Sequence, residues 1–245
     1  MTKIKTSRRF ETHSKVGKPM TLRPDHNAIV EATTLFPNRV KVPDFSDMLF
    51  KSGKNNRKIG SHVTKGVWAG MSIWTLTLVE RETCPTICEH WGDCFLNKMQ
   101  WPTRWKAGKE LERIIPGQIA TLARKHPKGF VVRLHILGDF YSAEYVAMWR
   151  GALKEFPALH IFGYTAWPND SEIGRAVERT RDAHWDRFAV RTSGAKQGPR
   201  ANVYKAANDV PAGEIVCPAQ LNKTTSCSTC GLCWHTKKPI AFLKH

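Results

Sequence analysis

The sequence predicts an α/β protein, a partial (β/α)6-type barrel with parallel strands plus a basic N-terminal arm. Two observations carry that prediction. From about residue 67 onward, β-branched and aromatic runs take turns with helix-patterned stretches of about ten to fifteen residues, which is the spacing of right-handed βαβ units. Before that point the chain has no tryptophan and is strongly basic, with 14 Lys+Arg against 5 Asp+Glu in residues 1–66. Five or six strand–helix units suit an open or partial barrel, because a closed eight-unit barrel needs ~250 residues by itself.

The elements follow in order. Residues 1–66 read as an extended arm or a small wrapping subdomain, with prolines at 19, 24, 37 and 43 and the polar run Lys51 to Lys58. Only Ala28–Val30 and Val40–Val42 have β character there. The 67–245 domain opens with a strand at Ser72–Val79, followed by a loop that holds three cysteines. A helical stretch spans Trp101 to Lys125, with Pro102 near its start and Pro116 dividing it. Phe130–Leu137 is the second strand, closed by Gly138-Asp139. Ser142 caps a helix with Tyr145, Trp149, Ala152, Leu153 and Phe156 on one face. His160–Trp167 is the third strand, and Ser171 caps the helix that presents Ile173, Ala176, Val177 and Thr180. Arg187–Thr192, Gly213–Val216 and Ile240–Leu243 complete the strands, and a cysteine-rich segment begins at about 213.

Composition narrows the function classes. A formal charge of +17 repels itself, and nucleic acid is the commonest partner for such a surplus. No apolar run reaches the 18 residues of a membrane span, and Met1 opens onto polar and basic residues, so a soluble, cytoplasmic chain with no membrane partner is expected. Seven cysteines are an odd number for a disulfide framework, which makes thiolate ligation the default.

Those cysteines fall into two constellations. Cys84, Cys88 and Cys94 form C-x3-C-x5-C directly after the first strand, where parallel α/β proteins carry their sites. Three protein thiolates leave a fourth ligand position open. Cys217, followed by Pro218, and the run Cys227, Cys230 and Cys233 make a second set. Its C-x2-C-x2-C spacing favours iron–sulfur ligation, with Cys217 closing a four-thiolate shell, and zinc is the alternative there. Three and four account for all seven.

A strand, a three-cysteine loop opening with C-x3-C, and a second strand ending in Gly138-Asp139 resemble the start of the radical S-adenosylmethionine superfamily. The resemblance implies a [4Fe-4S] cluster on Cys84, Cys88 and Cys94, S-adenosylmethionine as cofactor, and Gly138 and Asp139 where its methionine end is held. The second spacing, x5, and the single glycine of Leu-Gly-Asp depart from that superfamily's pattern. The wording Leu-Gly-Asp-Phe-Tyr-Ser, Phe-Gly-Tyr-Thr-Ala-Trp and Cys-Pro-Ala-Gln is also similar to a family of phage and plasmid proteins named for a mycobacteriophage gene product.

Asp139 is the candidate proton acceptor. Arg133 and His135 alternate with apolar residues and are expected on one face of the second strand, turned toward an anion. Tyr141, Tyr164 and Trp167 lie near strand ends and are candidates to stack a base. Arg191 to Arg200 reads as a polar loop. Arg8, Arg9, Lys54, Arg57, Lys58, Arg104, Lys106 and Lys109 are the candidate nucleic-acid contacts, the last three interleaved with Trp101 and Trp105. Two function readings result: an iron–sulfur protein with two [4Fe-4S] clusters acting on or bound to nucleic acid, or a non-enzymatic nucleic-acid-binding module stapled by structural zinc or iron–sulfur sites.

Overall fold

The computed structural model describes residues 20–244. Ten strands are present: β1 (Val40–Lys41), β2 (Lys51–Ser52), β3 (Ser72–Thr75), β4 (Arg104–Trp105), β5 (Phe130–Leu134), β6 (Leu159–Thr165), β7 (Phe188–Ser193), β8 (Arg200–Tyr204), β9 (Ile215–Val216) and β10 (Ile240–Leu243). The helices are α1 (Asn27–Val30), α2 (Lys109–Lys125), α3 (Ala143–Glu155), α4 (Glu172–Ala183) and the one-turn pieces α5 (Cys227–Cys230) and α6 (Leu232–His235).

Eight of these strands form one sheet, in the order β2-β3-β5-β6-β7-β8-β10-β9. Only the β2–β3 pair is antiparallel. The fold is therefore mixed α/β with a mostly parallel sheet, as the alternation of patterns implies. From β3 to β8 the spatial order follows the chain order, so successive right-handed crossovers deliver their helices to the same face.

The two faces have different coverings because strand side chains alternate. On one face Phe130, Val132, Leu134, Ile161 and Val190 pack under α2, α3 and α4, against Leu111, Ile115, Tyr145, Trp149, Leu153 and Val177. Each fully buried side chain of this size contributes about 1.5–3 kcal/mol. On the other face Ile73, Val131, Phe162 and Ala189 meet Ile59, Val63, Trp68 and Trp234. Trp68 and Trp234 stack at 5.2 Å with their planes 8° apart, which ties the segment before residue 68 to the cysteine-rich one. That second face is where chemistry has room.

Local signals set the helix starts. Ser142 Oγ accepts from the Tyr145 N–H at 3.0 Å, and Ser171 Oγ from the Gly174 N–H at 3.0 Å. Elsewhere the structure departs from the patterns. Ala28–Val30 lies in α1, with His26 Nδ1 capping the Ala28 N–H, and is not a β run. The helix expected from Trp101 begins at Lys109, because Arg104–Trp105 pairs with β1 instead. Pro116 does not divide α2. It removes one helical hydrogen bond, and the burial of Leu111, Ile114, Ile115, Ile119 and Leu122 on both sides carries the helix through. The loop expected from Arg191 to Arg200 ends in a further strand, β8, which starts beside the last residues of β7 and so needs no crossover helix.

The second strand stops at Leu134, three residues early, and this separates Arg133 from His135. Arg133 stands over the Phe162 and Tyr164 rings on the open face. His135 packs beside the helical core, where its Nε2 lies 3.1 Å from Tyr145 Oη, and both Arg133 and His135 border the same cavity.

Candidate functional site

The loop from Leu76 to Thr103 carries the first cysteine set, and buried polar side chains brace it. Glu80 receives Arg104 Nε at 2.7 Å, and Arg104 also donates to the carbonyls of Met99 and Pro102, so one ion pair joins the two ends of the loop. Arg81, in a left-handed backbone conformation (φ 65°), donates to Asn97 Oδ1 and to the Thr33 carbonyl. Asn97 in turn donates to the carbonyls of Met20 and Gly92. Unmade, any of these would be a costly orphan in the interior, so together they fix the loop's path.

The second set is held from two sides. Cys227 N donates to the Lys58 carbonyl at 3.0 Å and Ser228 N to the Ile59 carbonyl at 2.8 Å. Gly231, with φ 69°, separates α5 from α6 and lets Cys227, Cys230 and Cys233 turn together. Cys217 follows β9 directly and its N–H donates to the Ala241 carbonyl at 2.8 Å. Tyr164 Oη donates to Cys233 Sγ at 3.0 Å.

Both sets open onto one cavity of about 1320 Å³ at the carboxyl ends of the parallel strands, and all seven cysteines line it. None is in a disulfide and all are half-buried. Among the described residues, no three His, Cys, Asp or Glu side chains are drawn close enough together to hold a metal ion as they stand. Burial, reinforced by neighbouring thiols, pushes Cys94 and Cys233 up to about 12, and burial raises Cys84, Cys88, Cys217 and Cys230 as well. By themselves these are neutral thiols at neutral pH, and only a bound cation offsets the cost of making several thiolates in one place. The donor chemistry fits a soft metal or an iron–sulfur cluster.

Gly138 and Asp139 stand where β5 meets the first cysteine loop. A Cβ on Gly138 would lie 2.5 Å from Thr83 Oγ1 and 2.8 Å from Leu78 Cβ, so the glycine lets the turn press against the residue before Cys84. Asp139 N donates to the same Thr83 Oγ1 at 3.1 Å. Its carboxylate accepts the Phe140 N–H and the Ala166 N–H, each at 2.7 Å, and so ties the ends of β5 and β6 together. Burial raises this carboxyl to about 7 against the opposing pull of those hydrogen bonds. An ordinary aspartate would be ionised throughout that range.

The basic candidates scatter. Arg57 and Lys58 stand on the cavity lining, with Lys58 Nζ 5.7 Å from the Phe95 ring. Lys54, Lys106 and Lys109 are exposed and lie away from the lining. Arg104 is wholly buried in the Glu80 pair and is unable to contact a polyanion; Trp105 is buried beside it, while Trp101 is 73% exposed. Arg8 and Arg9 lie outside the described residues. Glu80, Arg81 and Asn97, which build the site, carry no local sequence signal because their partners are distant in the chain.

A family model described as gene product 88 matches residues 48–178, more than half of the chain. That segment includes the three-cysteine loop, Arg133, Gly138, Asp139 and Tyr164, whereas the four-cysteine set lies beyond it. No curated protein and no solved structure matches the chain significantly. No helix among the described residues is long and apolar enough to cross a membrane.

Proposed function

The chain belongs to the gene product 88 family, and from that premise we propose an iron–sulfur protein of radical S-adenosylmethionine-like architecture that acts on or binds nucleic acid. The observation that carries the reading is the convergence of all seven cysteines, unpaired, on one cavity at the carboxyl ends of the strands. Sites in parallel α/β folds gather at that end, and a partial barrel is the form of sheet this reading requires.

Cys84, Cys88 and Cys94 would hold one [4Fe-4S] cluster, and Cys217, Cys227, Cys230 and Cys233 the other. A cluster on three thiolates supplies an iron with an open position and a transferable electron. The rest falls to the chain's own residues. Gly138 keeps the β5 turn tight against Thr83, which fixes Asp139 beside the loop that bears Cys84. Asp139, raised to about 7, is suited to take or give a proton near neutral pH. Leu78 and Phe140 belong to the buried core under the helices, and the partly buried Trp167 packs against it and donates to the Phe140 carbonyl.

A second reading has its own support. The Lys58 and Ile59 carbonyls grip the start of α5, so the four-cysteine set also staples the basic segment to the body. A zinc ion would serve that purpose, in a binding module without catalysis.

Anaerobic purification followed by iron, sulfide and zinc analysis tests the proposal. A brown protein with about eight iron and eight sulfide per chain is the expected result for two such clusters. Colourless protein with stoichiometric zinc overturns it in favour of the module. A brown protein that neither binds nor cleaves S-adenosylmethionine when reduced removes that cofactor from the reading.

A further inference from the structure

Among the described residues, three buried arginines have every guanidinium nitrogen engaged. Arg104 is paired with Glu80 and two carbonyls. Arg181 meets Glu178, Asp182 and Thr192. Arg191 donates to the carbonyls of Cys233, Arg200, Thr236 and Lys238. In Arg81 both Nη atoms are engaged, by Asn97 and two carbonyls, and only the buried Nε has no partner.

Arg133 differs. Of its five N–H donors, Nη1 alone has a partner among the described residues, the carbonyl of the adjoining Leu134. It forms no ion pair: the Asp139 carboxylate is turned to the Phe140 and Ala166 N–H groups. Yet its position is well defined. The guanidinium lies 4.8 Å from the Tyr164 ring centre and 5.5 Å from that of Phe162. Gly163 lets the Leu134 carbonyl that Nη1 donates to come close to β6, since a Cβ there would stand 2.0 Å from that oxygen. The group lines the same cavity as both cysteine sets. A cation held in place on two aromatic faces, on the lining of a cavity and with its Nε and Nη2 donors without a partner among the described residues, has the form of an oxyanion seat.

We propose that Arg133 receives the phosphate of a nucleotide that enters this cavity, with Tyr164 and Phe242, whose rings meet edge to face at 5.7 Å, walling the space beside it. The choice of phosphate rests on the nucleic-acid part of the proposed function. A guanidinium fork takes two phosphate oxygens at once, whereas a lysine offers a point charge.

Calorimetry with adenosine 5′-monophosphate and with adenosine tests the seat on the full chain. Wild type should bind the monophosphate about ten- to hundredfold more tightly than the nucleoside. Arg133→Met should erase that preference, and Arg133→Lys, the milder change should methionine fail to fold, should retain only part of it. Equal binding of the two ligands by wild type, or a full preference in Arg133→Met, overturns the proposal. So does displacement of the monophosphate by acetate but not by inorganic phosphate. Metal analysis of the same samples separates the claims: a metal-free chain that still prefers the monophosphate keeps the seat and loses the iron–sulfur reading. A chain that binds a single-stranded oligonucleotide without preferring the monophosphate loses the seat and keeps the nucleic-acid reading. Loss of metal from Arg133→Met alone would make the side chain a counter-charge to the thiolates and also overturns the seat.

Discussion

Arg191 spreads its guanidinium over the carbonyls of Cys233, Arg200, Thr236 and Lys238 and thereby clamps the cysteine-rich segment to β7. Arg191→Met leaves several of those acceptors buried and unpaired, and should cost about 3 kcal/mol in chemical unfolding. On the two-cluster reading, the same variant should release metal from the four-cysteine set before the three-cysteine set, which metal analysis after cysteine substitution in either set would resolve. His135 makes a different kind of prediction. Burial beside Tyr145 lowers it from 6.5 to about 3, so the unfolded chain takes up its proton first as the pH falls. Its contribution to stability is fully present above pH 6.5 and is lost progressively below that, by about 2 kcal/mol at pH 5. His135→Phe should flatten the difference between urea unfolding at pH 7 and at pH 5, and an unchanged slope would assign the acid sensitivity elsewhere.

At the scale of elements, the two one-turn helices depend on glycine. Gly231 adopts φ 69°, and a Cβ there would lie 2.5 Å from His235 Nε2. Gly231→Ala should therefore destabilise the α5–α6 junction by about 1 kcal/mol or more and, on the two-cluster reading, lower metal content at the second set with the first set unaffected. Gly60, at φ 86°, admits Ser228 Oγ to within 2.1 Å of where its Cβ would be, so Gly60→Ala should loosen the basic segment from α5 and expose it to limited proteolysis. How much of this was legible follows from the range of each interaction. The caps at Ser142 and Ser171 are local, and the period of the apolar residues marks α3, α4, β5 and β6 directly. The strands β2 and β4 are two residues long and gain their place only from a neighbour, so no pattern announces them, whereas the apolar pair Ile215-Val216 of the equally short β9 is readable in Gly213–Val216. Arg104 shows the same limit within the site: beside two tryptophans and a lysine it reads as a surface cation, and only the fold brings Glu80 to it. The spacing of the cysteines marks them as candidate ligands, but their meeting in one cavity is set by tertiary contacts that spacing does not encode.

For the whole molecule, the charge of +17 has to be divided between cations that reach solvent and cations already committed inside. Oligonucleotide affinity should fall steeply between 50 and 200 mM salt, and Lys54→Gln with Arg57→Gln should reduce the slope of log affinity on log salt by about two. Arg104→Met should leave that slope alone and instead destabilise the chain by about 3–5 kcal/mol, because it strands the Glu80 carboxylate in the interior. These paired measurements separate a polyanion-binding surface from a merely basic one. The strand order has a further consequence. β10, last in the chain, lies between β8 and β9, and the Ala241 carbonyl receives the N–H of Cys217. Without residues 240–243, β9 has no neighbour in the sheet and the Cys217 N–H loses its acceptor. On the two-cluster reading, the four-cysteine site is thus complete only once residues 240–243 are in place, and a chain cut before Ile240 should hold metal at the first set alone.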